Sequence, residues 1–208
     1  MVVLASGSPR RKELLTQAGF TFQVHASTVM EERRAAEEPI AFATRLAREK
    51  AQSVFAELAA IDSENDPLLV LGADTIVVSP AKEILGKPKD ANDSARMLSL
   101  LSGATHSVIT GVAVMTRAGI EVASELTYVT MTTISEVEIE AYIQTGEPMD
   151  KAGAYAIQGY AAVWIPRIHG CYFNVVGLPL ALVSNMLQGA EKRLRKEQSA
   201  TVRAYAAE

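Results

Sequence analysis

The run 68–72, Leu-Leu-Val-Leu-Gly, is continuously apolar, and it resumes at Ile76-Val77-Val78 after Ala73-Asp74-Thr75. An unbroken run of this length reads as a strand buried on both faces, since a strand with one wet face alternates. A strand covered on both sides needs a layer above and a layer below, and the neighbouring patterns supply them. Residues 2–5 form a short apolar strand, and Ser6-Gly7-Ser8-Pro9 interrupts it. Pro9 suits a first helical turn, with Leu14, Leu15 and Ala18 as the apolar stripe closing at Gly19. Residues 20–25 read as a second strand. Over 39–58, Ile40, Ala43, Leu46, Ala47, Ala51, Val54, Phe55 and Leu58 recur at helical spacing.

The second half adds an antiparallel component. Residues 90–101 read as a helix, and 106–114 and 120–133 alternate around Arg117-Ala118-Gly119, which predicts a long hairpin. Ser135-Glu136-Val137-Glu138 is a capping-box pattern opening a helix to residue 142 or 143. Residues 146–159 form a polar loop, 164–168 a strand, and 180–187 an apolar helix. The polar, acidic stretch 61–67 reads as an exposed connection. The expected fold is α/β, a mixed sheet with an antiparallel hairpin and two lobes around a cleft. Residues 1–188 make one domain, and 189–208 a charged C-terminal tail, either a solvated helix or a frayed end.

Composition narrows the function. The 208 residues carry a formal charge of −4, so no basic field draws the chain to nucleic acid or anionic lipid. Any anion must be held by a local basic cluster. The single cysteine, Cys171, excludes a disulfide framework or a cysteine-rich zinc site within one chain. Residues 2–5 are too short for a signal-peptide core, and Lys12-Glu13 follow Arg10-Arg11 where a twin-arginine signal needs a long apolar stretch. The longest uncharged stretch, 168–190, contains His169, Asn174, Pro179, Asn185 and Gln188, which suits buried elements better than a membrane span. A soluble, cytoplasmic protein is expected.

Five segments carry chemistry. Ser6-Gly7-Ser8-Pro9-Arg10-Arg11 sets small residues, hydroxyls and two guanidinium groups at a helix N-terminus, a place suited to phosphate. Its plain alternative is an N-cap with two surface arginines. Two cations beside the positive end of a helix are costly without an anion. No Gly-Lys-Ser/Thr or G-x-G-x-x-G pattern is present. Asp74, in Gly72-Ala73-Asp74-Thr75, puts a carboxylate at a cleft rim, fit for metal binding or for taking a proton from water. Alone it reads equally as a turn aspartate. Lys87, in Leu85-Gly86-Lys87-Pro88, and Lys50, within a charged helix face, are cations whose solvated alternatives are strong. The loop 146–159 holds three glycines, two acids, Tyr155 and Gln158 without periodicity, and loops of this length in compact domains are usually functional. Gln158 could read a base edge, and Tyr155 could pack on a ring.

In combination these segments resemble the Maf family, the septum-formation-inhibitor-like proteins that hydrolyse nucleoside triphosphates. The motifs are A-S-x-S-P-R-R, L-A-x-x-K-A, G-A-D-T, K-P, S-G-x-T-H, G-E-P-x-D-K-A-G-A-Y-x-I-Q-G and V-V-G-L-P-L, in that order from Val3 to about Leu187. The resemblance implies a fold like that of the inosine triphosphate pyrophosphatases, often homodimeric. It implies that Ser6, Ser8, Arg10, Arg11, Lys50 and Lys87 bind phosphates, and that Asp74 is the catalytic carboxylate. Glu32 is the candidate second carboxylate beside a divalent cation, magnesium or manganese. Arg10, Thr75 and Gln158 fall where the family sets base preference. Ala-Asp-Thr with Tyr-x-Ile-Gln matches the dTTP and UTP hydrolases rather than the methylated-guanosine branch. The alternatives are a pyrophosphatase for modified or noncanonical nucleotides, and a non-catalytic regulator of cell division.

Overall fold

In the computed structural model, residues 1–60 and 68–205 are described, with side chains to residue 196 at the C-terminal end. The expected connection 61–67 lies outside the described residues. The apolar run is the centre of the sheet, as β3 (Leu69–Val78), and every residue but Thr75 is buried. The expected break at Ala73-Asp74-Thr75 does not occur. Strand β5 (Thr105–Thr116) pairs antiparallel with β3 from Val70 opposite Met115 to Val78 opposite Ser107, with Asp74 opposite Gly111 and Thr75 opposite Thr110. That ladder carries the chain straight through the polar residues. The predicted hairpin is completed by β6 (Gly119–Thr130).

On the other edge of β3 the pairing is split. β1 (Val2–Leu4) runs parallel to β3 from Val2 opposite Leu69 to Leu4 opposite Leu71, and β2 (Phe22–Val24) lies outside it. β4 (Ile84–Leu85) takes up the same edge at Val77 and Val78. Between the end of β1 and the start of β4, this edge of β3 faces a gap at residues 73–76. β7 (Arg167–His169) closes the far side against β6, giving the order β2-β1-β3-β5-β6-β7 with β4 beside β3. The sheet is therefore mixed, as expected.

Alternation divides the core. Leu69, Leu71 and Ala73 share one cluster with Leu14 and Leu15 of α1 (Pro9–Gln17) and with Val183, Met186 and Leu187 of α6 (Leu180–Tyr205). Val77 on the same face belongs to a second cluster, with Leu98 of α3 (Ala91–Leu101) and Tyr142 of α4 (Glu136–Gln144). Thr75 lies between the two, opposite Thr110. The opposite face, including Val70 and Ile76, is covered by the single long helix α2 (Pro39–Ala59).

Local signals explain the helix starts. Asp90 caps α3 by accepting from the Asp93 amide at 2.8 Å, and Ser135 with Glu138 forms the predicted capping box. The expected tail from residue 189 continues α6 through Gly189, so the helix crosses the anticipated domain boundary. Ala190 is buried, Leu194 packs against the first cluster, and Arg193 pairs with Glu121 at 2.5 Å. Elements without a local sequence signal are β4, the short helix α5 (Tyr172–Val176) and three 3-10 turns, Glu147–Asp150, Ala152–Ala154 and Tyr160–Trp164.

Helix α2 lies at backbone contact with the sheet because two glycines leave room. A Cβ on Gly72 would stand 2.2 Å from the Ala47 carbonyl oxygen, and one on Gly111 2.3 Å from that of Ala43. Substitution at either must push the helix off the sheet. Gly72→Ala is expected to cost about 1–3 kcal/mol, read as a Tm fall of about 2–4 °C per kcal/mol. Thermal melts of Gly72→Ala indistinguishable from those of the parent would contradict this packing.

Candidate active site

The gap in the β3 edge opens into a cavity of about 500 Å³, within the range of small-molecule sites. Its walls come from the loop after β1, the face of α2, β3, the turn after β4 and the loop 146–159. Of the residues singled out from sequence, Ser6, Ser8, Arg10, Arg11, Lys50, Asp74, Thr75, Lys87 and Gln158 all line it. Glu32 does not. The neighbouring Glu31 lines the cavity instead, while the Glu32 backbone carbonyl accepts from Arg45 at 2.9 Å. Of the two adjacent acids, Glu31 rather than the expected Glu32 faces the cavity. Arg45 also grips Glu37 at 2.6 Å and Glu49 at 2.9 Å, which fixes the way the segment preceding α2 turns.

The centre of the site is an ion pair. Lys50 is 6% exposed and Asp74 5%, and Nζ of Lys50 donates to Oδ1 of Asp74 at 2.6 Å. The same ammonium donates to Glu31, so one cation bridges two carboxylates. Lys50 reaches this point because Ala47, one helical turn earlier, rests on Gly72. Asp74 points the same way as Gly72, two residues before it in the strand. Burial pushes the Asp74 carboxyl above the usual aspartate range, against the pull of Lys50 and Arg11. At Glu31, burial acts in the same direction, but the charge and hydrogen bond of Lys50, with Lys87 and Arg11, outweigh it and the pKa falls. The two acids are therefore driven apart, Asp74 toward proton acceptance and Glu31 toward a permanent negative charge.

The arginines expected to act together have different surroundings. Arg11 is buried, donating from Nε to the Gly177 carbonyl at 2.9 Å, from Nη1 to Ser6 Oγ at 3.0 Å and from Nη2 to Thr75 Oγ1 at 3.1 Å. It ties the loop after β1 to β3 and to the turn after α5. Thr75 Oγ1 also meets Thr110 Oγ1 at 2.9 Å, so the hydroxyl sits in a fixed network. Arg10 is at the cavity mouth, where it pairs with Asp150 of the loop 146–159 at 3.1 Å. The Ser8 side chain makes no cap on α1, which leaves the helix N-terminus facing the cavity without a side-chain acceptor. Lys87 and Gln158 are exposed on the cavity lining.

Asp150 and the Gly177 carbonyl were not singled out from sequence as contacts. Gly177 has φ 124°, a conformation that favours glycine, and that is the local signal that a tight turn carries its carbonyl inward. Tyr155, expected to pack on a ring, lines the cavity and directs its hydroxyl at His106. Cys171 is a half-buried free thiol.

Among the described residues there is no cluster of three or more His, Cys, Asp or Glu side chains able to hold a metal. Of the carboxylates that line the cavity, Glu31, Asp74 and Asp150, the first two meet at Lys50 and form the candidate donor set. That suits a hard cation such as magnesium, which takes one or two carboxylates and completes its shell with phosphate oxygens and water. Also among the described residues, no helix is long and apolar enough to cross a membrane.

The opposing influences on Asp74 give a test. Its carboxyl is expected to titrate above the ordinary value of about 3.9. Lys50→Met removes the cation that holds the pKa down, so the titration should move to higher pH still. Carboxyl-carbon NMR of the labelled protein would read both, and a Lys50→Met titration at or below the parent value would contradict the pairing.

The chain matches the family described as Maf-like protein over residues 1–190. A dTTP/UTP pyrophosphatase of Koribacter versatilis is 50% identical over 189 residues, covering 91% of this chain and 94% of that protein. One from Geobacter sulfurreducens is 52% identical over 184 residues, covering 88% and 92%. Another, from Vibrio cholerae, is 48% identical over 186 residues, covering 89% and 96%. The match spans the loop after β1, the Lys50–Asp74 pair and the loop 146–159, and by it the chain belongs to the Maf-like protein family.

Proposed function

We propose that the chain hydrolyses dTTP and UTP to the monophosphate and pyrophosphate by breaking the bond between the α- and β-phosphates. The observation that carries this is the buried Lys50–Asp74 pair facing a cavity ringed by Arg10, Arg11 and Lys87. A buried carboxylate with a raised pKa is suited to take a proton from water, and the surrounding cations suit a polyphosphate leaving group. The names of the relatives, dTTP/UTP pyrophosphatase, point to the same substrates.

In this reading the triphosphate lies along the N-terminus of α1, Ser6, Ser8 and the basic side chains. Asp74 orients the water and accepts its proton as the α-phosphorus is attacked. Lys50 and Lys87 offset the charge that grows on the departing pyrophosphate. Glu31 and Asp74 would hold magnesium or manganese, which when bound supplies charge neutralisation across the phosphate oxygens. Arg10, Thr75 and Gln158 set the base preference: Gln158 through its amide at the cavity wall, Thr75 through the position its hydroxyl network fixes. A cytoplasmic homodimer that does not engage nucleic acid belongs to the same proposal. The net charge of −4 supports the last point, and the resemblance supports the others.

The test is pyrophosphate release from dTTP, UTP, CTP, GTP, ITP and 7-methyl-GTP, with and without magnesium or manganese. Metal-dependent release from dTTP and UTP is expected, reduced about 10²–10⁴-fold in Asp74→Asn. Release from ITP or 7-methyl-GTP instead would keep the reaction and overturn the base assignment. Absence of release from every nucleotide would favour a binding protein.

A further inference from the structure

The segment that carries Gln158 has little backbone structure of its own. It begins with two successive left-handed residues, Gly153 at φ 70° and Ala154 at φ 59°, the second costly for a residue with a side chain. Gly153 is pressed against Val77, where a Cβ would approach its side chain to 2.9 Å, and its amide bonds the Gly86 carbonyl at 3.0 Å. Tyr155 then turns the chain into extended conformation, and Ala156, Ile157 and Gln158 run along the cavity wall. Whatever fixes Tyr155 therefore fixes where Gln158 starts.

Tyr155 is fixed by His106. The hydroxyl lies 2.8 Å from Nε2 of His106 on β5, and the two rings meet edge to face at 5.4 Å. His106 is 2% exposed and does not line the cavity. Its Nδ1 is buried without a hydrogen-bond partner. Burying an imidazole with one nitrogen unsatisfied is costly, and an aliphatic residue would fill the same space without that penalty. Among the described residues, the one polar contact this imidazole makes is to Tyr155. Burial lowers the His106 pKa to about 4, so the ring is neutral near neutral pH, and burial raises that of Tyr155, which keeps its proton.

We infer that His106 is a positioning residue for base recognition: by holding the Tyr155 hydroxyl it sets the place of Ala156–Gln158 along the cavity wall. The far end of the segment is held separately. Glu147 accepts from the Tyr142 hydroxyl at 2.8 Å and from the Tyr160 amide at 3.2 Å, and its carboxylate occupies the space beside Gly159 that a Cβ would need. Between these two anchors the Ala156 amide donates to the Tyr142 hydroxyl only at a long 3.4 Å, so loss of the His106 anchor loosens chiefly the end at Tyr155. The phosphate side, built on Arg11, Lys50 and Asp74, does not pass through His106.

This inference rests on the proposed reading of Gln158 as a base contact, and the test separates the two. Tyr155→Phe and His106→Met remove the hydrogen bond with little change of volume, whereas His106→Gln keeps a polar group within reach of the hydroxyl. For each, kcat and KM are measured for dTTP, UTP and CTP, with inhibition by inorganic tripolyphosphate as a probe of the phosphate side. The preference for dTTP and UTP over CTP is expected to fall by about tenfold, chiefly through KM, in Tyr155→Phe and His106→Met. His106→Gln should retain most of it, and tripolyphosphate should inhibit Tyr155→Phe and the parent equally. A uniform loss of kcat/KM for all three nucleotides, or an unchanged preference in folded variants, would overturn the inference while leaving the reading of Gln158 intact. A parent protein that does not discriminate among the three would overturn both.

Discussion

Lys50 stands between Asp74 and Glu31, inside a protein whose sheet and helix α2 meet there without intervening side chains. The Lys50 ammonium and the Asp74 carboxylate, both withdrawn from water, are tolerable only as a pair, since removing one leaves a buried charge uncompensated at a cost of about 3–5 kcal/mol. Glu31 meets the same ammonium from the exposed side. Their meeting depends on backbone geometry. Gly72 and Gly111 let α2 settle directly on β3 and β5, so Lys50 arrives one turn beyond the contact with its ammonium over Asp74. The gap between β1 and β4 then gives this buried pair access to the cavity.

The same gap explains why the surrounding groups converge. β1 ends at Leu4, so its loop delivers Ser6, Ser8 and the start of α1 to the edge of β3. β4 resumes pairing at Val77, so the following turn delivers Lys87 to the other side. Arg11 fixes the first wall to the strand through Thr75 and to the Gly177 turn, and for that reason it is more restrained than Arg10. Arg10, bridged to Asp150, links the start of α1 to the loop that carries Gln158. A polyphosphate competing for Arg10 would act on that link.

Much of this was legible in the sequence because local patterns carried it. The helical spacing over 39–58, the alternation around Arg117-Ala118-Gly119 and the capping box at Ser135 each became the expected element. The loop after β1 was legible because glycine, proline, hydroxyls and two arginines in six residues have few other uses. Other features were decided by tertiary contacts. β3 continues through Asp74 because β5 pairs with it and Lys50 neutralises it, and neither partner is visible in a window of ten residues. Adjacent acids in a segment without periodicity give no sign of which one turns toward the cavity, and it is Glu31 rather than Glu32 that does. α6 passes Gly189 because Ala190 and Leu194 find packing partners, which outweighs the helix cost of one glycine of about 1 kcal/mol.

Attack by water at the α-phosphorus, with Asp74 as its base, is tested most directly by hydrolysing dTTP in water enriched in the heavy isotope of oxygen. Mass spectrometry then shows which product carries the label. The proposed chemistry predicts label in the thymidine monophosphate and none in the pyrophosphate. Label in the pyrophosphate would mean that water attacks the β-phosphorus, which would contradict the role given to Asp74 and to the cations around it.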